Sequence, residues 1–471
     1  MWQGGPAMTL TAIALTALHA ALSAVVTAHV LLRKREVGSA IGWIGLAWLS
    51  PFLGSAIYAL FGVNRVRRRA RTLGRPESAR DEAPHPVAAG VSLAAVLDRS
   101  GHRLTRRAAA PGNAIRLLRN GDEGYPRMLA AIEAATTRIG LSSYIFRDDA
   151  AGAPFIEALI GAHRRGVDVR VVIDGIGGGY FLSPAYRRLR RAGVPAARFM
   201  HAPLPWDMPF LNLRSHKKIL VVDDRIGFTG GLNIGAENLV LGDPADPVRD
   251  THVELQGPVV RQLAAAFDAD WCFASRGEPW RFDAPAGPGP GGATARVITS
   301  GPDRDIEKIE ATMLQAVTCA RQSVLVMTPY FLPDDRLVSA LALAALRGVG
   351  VDLVVPERSN HRPVDWAMRA HVAPLLQAGC RIWLNPPPFD HSKLMVVDGE
   401  WSLVGSANWD MRSLRLNFEL DVEIYDRATA AAITARIGAG RGARLTSEAL
   451  ARRPLPARLR DAAMRLALPY I

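Results

Sequence analysis

Lysine is nearly missing from this chain. Of 57 basic side chains in 471 residues, only Lys34, Lys217, Lys218, Lys308 and Lys393 are lysines; the rest are arginine. Cysteine is scarcer still. Cys272, Cys319 and Cys380 stand far apart, which excludes a disulfide framework and a thiolate metal motif and fits a reducing compartment. The opening MWQGGPA carries no basic side chain, and a second apolar run follows the first directly, so a cleaved signal peptide finds no support. What is in excess is positive charge. The net +13 implies an anionic partner: nucleic acid, a phospholipid surface or a phosphorylated substrate.

Two long apolar runs set the location. Met8 to Leu32 has no formally charged residue, and Ser39 to Gly62 is interrupted only by Pro51. Each exceeds the roughly 20 residues that cross a bilayer's hydrocarbon core. With the RKREVG turn between them they predict a transmembrane hairpin, with spans at about 8–32 and 39–62 inside an anchor of residues 1–71. The following NRVRRRARTLGR places an arginine cluster beside the membrane, which favours the cytoplasmic side and anionic headgroups. A multi-pass protein of the cell (inner) membrane is expected. Basic charge suits DNA as well, but the hairpin argues against a nucleic-acid partner.

Beyond the anchor the chain is duplicated. After an Ala- and Pro-rich linker (72–111), YPRMLAAIEAATTRIG, LSSYIF and FIEALIGAHRRGVDVRVVID read as helix, strand, helix and strand. IEKIEATMLQAVTCARQ, SVLVMTPYF and LVSALALAALRGVGVDLVVP repeat that order. Alternating patterns of this kind predict an α/β fold: two duplicated lobes with mixed β-sheets flanked by helices, at 112–275 and 297–430. A Pro/Gly-rich connector (276–296) separates them, and a basic segment (431–471) ends the chain.

Each unit closes on the same polar spacing. His216–Asn233 reads HKKILVVDDRIGFTGGLN and His391–Asn408 reads HSKLMVVDGEWSLVGSAN. On a strand, residues two apart share a face, so His216 lies beside Lys218 and His391 beside Lys393. One such match would describe a strand with surface polar groups. Two at equal spacing inside a duplication, both drawing the rare lysine, describe a site. Lysines neutralise phosphate oxygens; Asn233, Ser406 and Asn408 offer hydrogen bonds to phosphate; one imidazole attacks while the other handles the proton. That division needs one neutral and one protonated ring, held by different partners. Asp250 and Glu419, on strand-like runs after the motifs, are the candidate acids for orienting the histidines. Asp223 and Asp398 complete the motifs, as catalytic groups or as caps of the turn between strands. Two lysines can replace one divalent ion, so neither metal nor cofactor is expected. Trp206, Phe210, Trp383 and Phe389, on Pro-stiffened loops before the motifs, are placed either at the lipid interface or over the lobe junction.

The pair resembles the signature of the phospholipase D superfamily, HxKxxxxD twice, followed by GSxN or GGxN. SPFLGSAIYALFG, LRSHKKILVVDDRIGFTGGLNIG, RDTHVELQGP, TPYFLPDD and GSANWDMRSLRLNFEL are similar to the bacterial cardiolipin synthases within it. The resemblance implies a two-lobed fold with one active site at the lobe interface. It implies His216, Lys218 and Asp223 in one half-site, His391, Lys393 and Asp398 in the other, and His216 as nucleophile. It implies transfer of a phosphatidyl group between two phosphatidylglycerol molecules through a phosphohistidine, releasing glycerol, with hydrolysis as the alternative. GAENL after the first GGLN departs from the acidic-aromatic run usual there, and Asp390 stands where an apolar residue is more usual.

Overall fold

The computed structural model describes residues 6–33, 37–59, 92–202, 213–282, 289–303 and 305–466. The chain divides into two compact units, Met1–Thr72 and Leu73–Ile471.

In the first unit, Pro6–Arg33 is one helix, and its Leu10–Leu32 stretch is long and apolar enough to span a bilayer. The second expected span is not one helix. Val37–Leu49 holds only 13 residues, about 20 Å of rise, and the chain breaks before resuming at Leu53–Ile57. Pro51 is the cause: it has no N–H for the ladder, and Phe52 beside it takes a left-handed φ of 59°. Residues 60–62 lie outside the described residues. The two helical stretches satisfy their polar groups on each other. The Ser23 hydroxyl donates to the Ala47 carbonyl at 2.8 Å, and Trp48 Nε1 donates to Thr27 Oγ1 at 3.0 Å. In an apolar medium an unpaired polar group would be expensive.

The second unit is built on a 16-stranded sheet whose two halves repeat one strand order. The first half runs Ala110–Arg119, Thr251–Gln256, Ile226–Gly230, Ile219–Val222, Arg138–Ser143, Asp168–Asp174, Ala196–Phe199. The second runs Ala293–Ser300, Asn417–Tyr425, Trp401–Gly405, Leu394–Val397, Ser323–Met327, Gly350–Pro356, Arg381–Asn385. The leading strands pair antiparallel, with Ala110 opposite Ala295, so the halves share one sheet. Apolar runs such as Val171–Ile173 and Leu353–Val355 are buried, as parallel strands covered on both faces require. Helix Gly152–Arg164 covers the first half with Phe155, Ile156, Leu159 and Ile160; helix Asp335–Leu346 covers the second with Leu337, Val338 and Leu341. Gly166 and Gly348 turn from each helix into its parallel strand at φ of 88° and 91°, a conformation that disfavours any Cβ.

Three expected boundaries move. The linker at 72–111 contains a helix, Leu93–Thr105, that buries Leu93 and Leu97 in the core of the second lobe. The buried Arg296 guanidinium fixes it, donating to Asp98 Oδ1 at 3.1 Å while also binding Glu423. The connector ends at 292, because Ala293–Ser300 is the strand that joins the two halves. The C-terminal segment is no separate tail either. Arg427–Ala439 buries Ile433 and Ile437, Arg444–Leu445 extends the sheet edge, and Leu455–Leu466 packs on helix Arg362–His371. Four of its eight arginines are paired, Arg436 with Asp390, Arg441 with Asp352, and Arg453 and Arg460 with Asp461, and Arg460 also lies over the Trp366 ring at 4.2 Å.

Candidate active site

Both histidines are seated by the opposite lobe. Arg214–Ser215 runs parallel to Asn417–Phe418, and the His216 N–H donates to the Phe418 carbonyl at 2.9 Å. Phe389–Asp390 runs parallel to Val248–Arg249, and the His391 N–H donates to the Arg249 carbonyl at 2.7 Å. The two short ladders exchange backbone across the junction and bring the imidazoles to 6.1 Å, centroid to centroid, with ring planes at 86°.

The candidate acids serve the histidines crosswise. His216 Nδ1 lies 3.0 Å from Glu419 Oε2, and His391 Nδ1 lies 2.9 Å from Asp250 Oδ2. The strand register makes the acids equivalent: each lies two residues before a residue, His252 or Asp421, that faces Gly230 or Gly405. An acceptor at each Nδ1 fixes the tautomer with Nδ1–H and leaves Nε2 as the nitrogen for chemistry. Glu419 is held rigidly. Ser406 Oγ donates to it at 2.5 Å, Ser413 Oγ at 2.6 Å and Asn417 Nδ2 at 3.1 Å. Ser406 therefore does not face phosphate as expected, since its hydroxyl is spent on fixing the acid behind His216. Its counterpart Gly231 has no room for a side chain: a Cβ would fall 2.0 Å from Asp250 Oδ1.

Lys218 and Lys393 stand on the histidine face as the alternation requires, each ammonium donating to the carbonyl of the histidine two residues earlier. Burial, and for Lys218 the repulsion of Lys393, pulls them down to about 7 and about 8. Burial, with Lys393 adding to it, pushes His391 down to about 3; burial also lowers His216, against the pull of Glu419. Burial would raise the Glu419 carboxyl, but His216, Lys218 and Ser406 more than offset it and keep it below the usual carboxylate range. Burial thus favours the neutral form of both rings. The intervening side chains point away from the cleft. Lys217 is fully buried against Asp270 at 3.0 Å, and Ser392 binds Thr251 across the junction at 2.8 Å. Asp390, the unusual residue before His391, answers the buried Arg436 at 2.5 Å.

Asp223 and Asp398 are not at the cleft. They end the strands that begin beside the lysines, roughly 17 Å along extended backbone. Asp223 accepts from the backbone N–H groups of Thr136, Thr137 and Arg138 at 2.8–2.9 Å and from both threonine hydroxyls. Asp398 accepts from the N–H groups of Arg321, Gln322 and Ser323 at 2.8–2.9 Å. Each clamps the start of the neighbouring strand from a turn with left-handed φ. An Asp223→Ala change should destabilise the fold by about 2 kcal/mol, because it orphans three backbone donors, and should leave kcat of the folded enzyme within about twofold. Thermal melting beside kcat tests this; a hundredfold loss of kcat with unchanged melting would return Asp223 to the reacting atoms.

A cleft of about 1610 Å³ opens over the two histidines, lined by Asn233 and Asn408 among others. Asn233 Oδ1 accepts from Ile145 N at 3.2 Å, which leaves its amide N–H₂ to the cleft. The Asn408 side chain is buried, and its Oδ1 has no partner among the described residues. Sequence reasoning missed Tyr144 and Tyr330, whose rings lie 5.0 Å from His216 and 6.1 Å from His391. Their signal was available: LSSYIF and VMTPYF put a tyrosine just beyond the first strand of each repeat. Tyr144 also receives the Lys218 ammonium over its ring at 5.4 Å. Phe389 lines the cleft, but Trp383 does not. Trp383 sits on strand Arg381–Asn385 and donates to Asp352 Oδ1 at 2.9 Å, so its expected place on a loop at the lipid interface or over the junction is corrected. Trp206 and Phe210 lie outside the described residues.

Comparison with known proteins agrees with this geometry. The family described as "Cardiolipin synthase, PLD-like domain" matches residues 128–271 and 313–439. The chain is 35% identical to a cardiolipin synthase of Geobacillus thermodenitrificans, over 84% of this chain and 81% of that one. It is 30% identical to the major cardiolipin synthase of Bacillus subtilis over 93% and 95%, and 34% identical to cardiolipin synthase A of Pseudomonas aeruginosa over 89% and 87%. Among solved structures, a phosphatidylserine synthase of Haemophilus influenzae shares the fold at 16% identity, with a TM-score of 0.58 over 80% of this chain and all of that one. The chain belongs to the cardiolipin synthase family of the phospholipase D superfamily.

Proposed function

We propose that this enzyme is a phosphatidyltransferase that joins two phosphatidylglycerol molecules into cardiolipin and releases glycerol. The observation that carries the reading is the histidine pair, 6.1 Å apart, each Nδ1 held by an acid of the opposite lobe. A phosphodiester set between the rings meets a nucleophile on one side and a proton carrier on the other. His216 Nε2 forms a bond to phosphorus as the bond from phosphorus to the glycerol oxygen breaks, and that oxygen takes its proton from His391. A hydroxyl of the second phosphatidylglycerol then gives its proton to His391, its oxygen bonds phosphorus, and the N–P bond breaks. The substrate prepares its own acid. Its negative charge offsets Lys393 and Lys218, which are among the causes that hold His391 low, so a bound phosphate stabilises the imidazolium. The two lysines and the amides of Asn233 and Asn408 serve the equatorial oxygens.

We place the enzyme in the bacterial inner membrane as an integral, multi-pass protein, with the catalytic unit on the cytoplasmic side. The support is the apolar Leu10–Leu32 helix, the second apolar stretch after it and the arginine-rich run that follows. Full-length enzyme in phosphatidylglycerol liposomes should form cardiolipin and free glycerol in near-equal amounts, with phosphatidic acid minor. Phosphatidic acid as the main product would make water the acceptor and the enzyme a hydrolase.

A further inference from the structure

The duplication is broken in charge at two positions of the cleft wall. The two motifs are offset by 175 residues, from His216 to His391 and from Asn233 to Asn408. At that offset Arg214 matches Phe389, and Arg412 matches Glu237. All four line the cleft, so the two arginines have no counterparts in the other half-site. Arg214 lies two residues before His216 and shares its strand face. Arg412 follows Asn408 on the short helix Met411–Arg415. Both line the cleft together with Tyr144, whose ring is 5.0 Å from His216, and the charge of each favours ionisation of that phenol. Both are half-buried, and neither forms an ion pair among the described residues, whereas Arg147 in the same wall is neutralised by Glu237 at 3.0 Å. Arg214 donates to the Leu213 carbonyl at 2.9 Å. Asp174 acts on Arg214 and Asp410 on Arg412, but with no ion pair to either guanidinium among the described residues the two partly buried groups can still receive an anion.

Two buried amides mark the same place. Asn408 and Asn417 line the cleft, are more than nine-tenths buried, and each has a side-chain oxygen without a partner among the described residues. Phosphate oxygens cannot satisfy an acceptor; an alcohol can. A ligand that brings an anion to the arginines and a hydroxyl to the amides satisfies both. The donor's phosphate does not need the arginines, because it has the histidines, the lysines and the amide N–H₂ groups of Asn233 and Asn408.

We propose that Arg214 and Arg412 form a second phosphodiester subsite, which holds the phosphate of the acceptor lipid while its glycerol hydroxyl reaches past Asn408 to the reacting phosphorus. This deepens the phosphatidyl-transfer reading and rests on it. The cleft then treats its two substrates unequally, although they are chemically the same molecule. The guanidinium pair selects an anionic alcohol over water and over neutral alcohols, and it supplies the proximity that favours transfer.

Competition between two acceptors tests this. Full-length enzyme in phosphatidylglycerol liposomes with added ethanol should make both cardiolipin and phosphatidylethanol from one phosphoenzyme. Arg412→Gln and Arg214→Gln should each lower the cardiolipin-to-phosphatidylethanol ratio at least tenfold, and Arg412→Lys should restore part of it. The ratio is insensitive to how much enzyme is folded. An unchanged ratio in either glutamine variant that still forms product would overturn the proposal, as would a total block of both products by both variants in folded protein, since that would assign the arginines to the donor. Wild-type enzyme that makes phosphatidylethanol but no cardiolipin would instead sink the synthase reading itself.

Discussion

A His391→Ala enzyme mixed with radiolabelled phosphatidylglycerol and quenched within one turnover should carry acid-labile lipid phosphate on His216. The His216 nitrogen keeps its acid, because Glu419 comes from Asn417–Tyr425 and its other holders, Ser406, Ser413 and Asn417, are untouched by the change. Attack on phosphorus therefore survives in part. Discharge does not, because no imidazole remains to take the proton of the incoming hydroxyl, so the intermediate accumulates. Steady-state turnover should fall by roughly 10⁴, the upper end for losing a general acid–base group, with discharge of the phosphohistidine as the limiting step. Replacing His216 in the same protein should abolish the label. Label that persists would move the nucleophile elsewhere.

Glu419→Gln should be nearly as damaging although it changes no group in the reaction path. A glutamine keeps the size, but it can present its amide N–H₂ to His216 Nδ1, and that turns the imidazole toward the wrong tautomer with Nε2–H facing phosphorus. In triads where an acid orients a histidine, the same isosteric change removes about 10⁴ of rate. Here the side chain is fully buried and takes three further donors, so it has little freedom to escape the misfit. A kcat loss of roughly 10³–10⁴, with KM changed far less, is expected, about 4–5 kcal/mol of barrier. Because Glu419 raises the His216 pKa, the variant ring stays neutral to lower pH and the acid limb of the kcat profile should shift downward; a structural defect would leave that limb in place and would lower the melting midpoint. Activity within tenfold of wild type would mean that Glu419 only fills space.

The parts of the site that were legible in the sequence share one property: they recur at equal spacing. His216 and His391, Lys218 and Lys393, and Asn233 and Asn408 all stand in the cleft or directly under it. The duplicated strand order follows from the same repetition. What depended on the two halves meeting was not legible. No spacing within a repeat says that Glu419 turns to His216 and Asp250 to His391, because that choice is made by Arg214–Ser215 and Phe389–Asp390 lying against the opposite lobe. Ser406 looked like a donor to phosphate because GSAN is a loop of donors, but a carboxylate 2.5 Å away is the stronger partner. Asp223 and Asp398 belong to the motif for the sake of the turn, since the strand carries them away from the cleft. The segments at 93–105 and 293–296 are short and rich in small or charged residues, and only Arg296, reaching Asp98 and Glu423 at once, reveals that they are core.

The crossed acids also bear on how the protein comes to life. During synthesis the first lobe emerges with His216 in place but with no carboxylate behind it, and Asp250 waits with no ring to hold. Neither the early lobe nor a truncated chain carries a tuned nucleophile, however well it packs its own core. Reactivity toward the surrounding bilayer is withheld until the last long strand, Asn417–Tyr425, has been threaded into the shared sheet and has delivered Glu419. Maturation thus acts as its own safety catch: until Glu419 has been delivered, His216 lacks the acid that orients it.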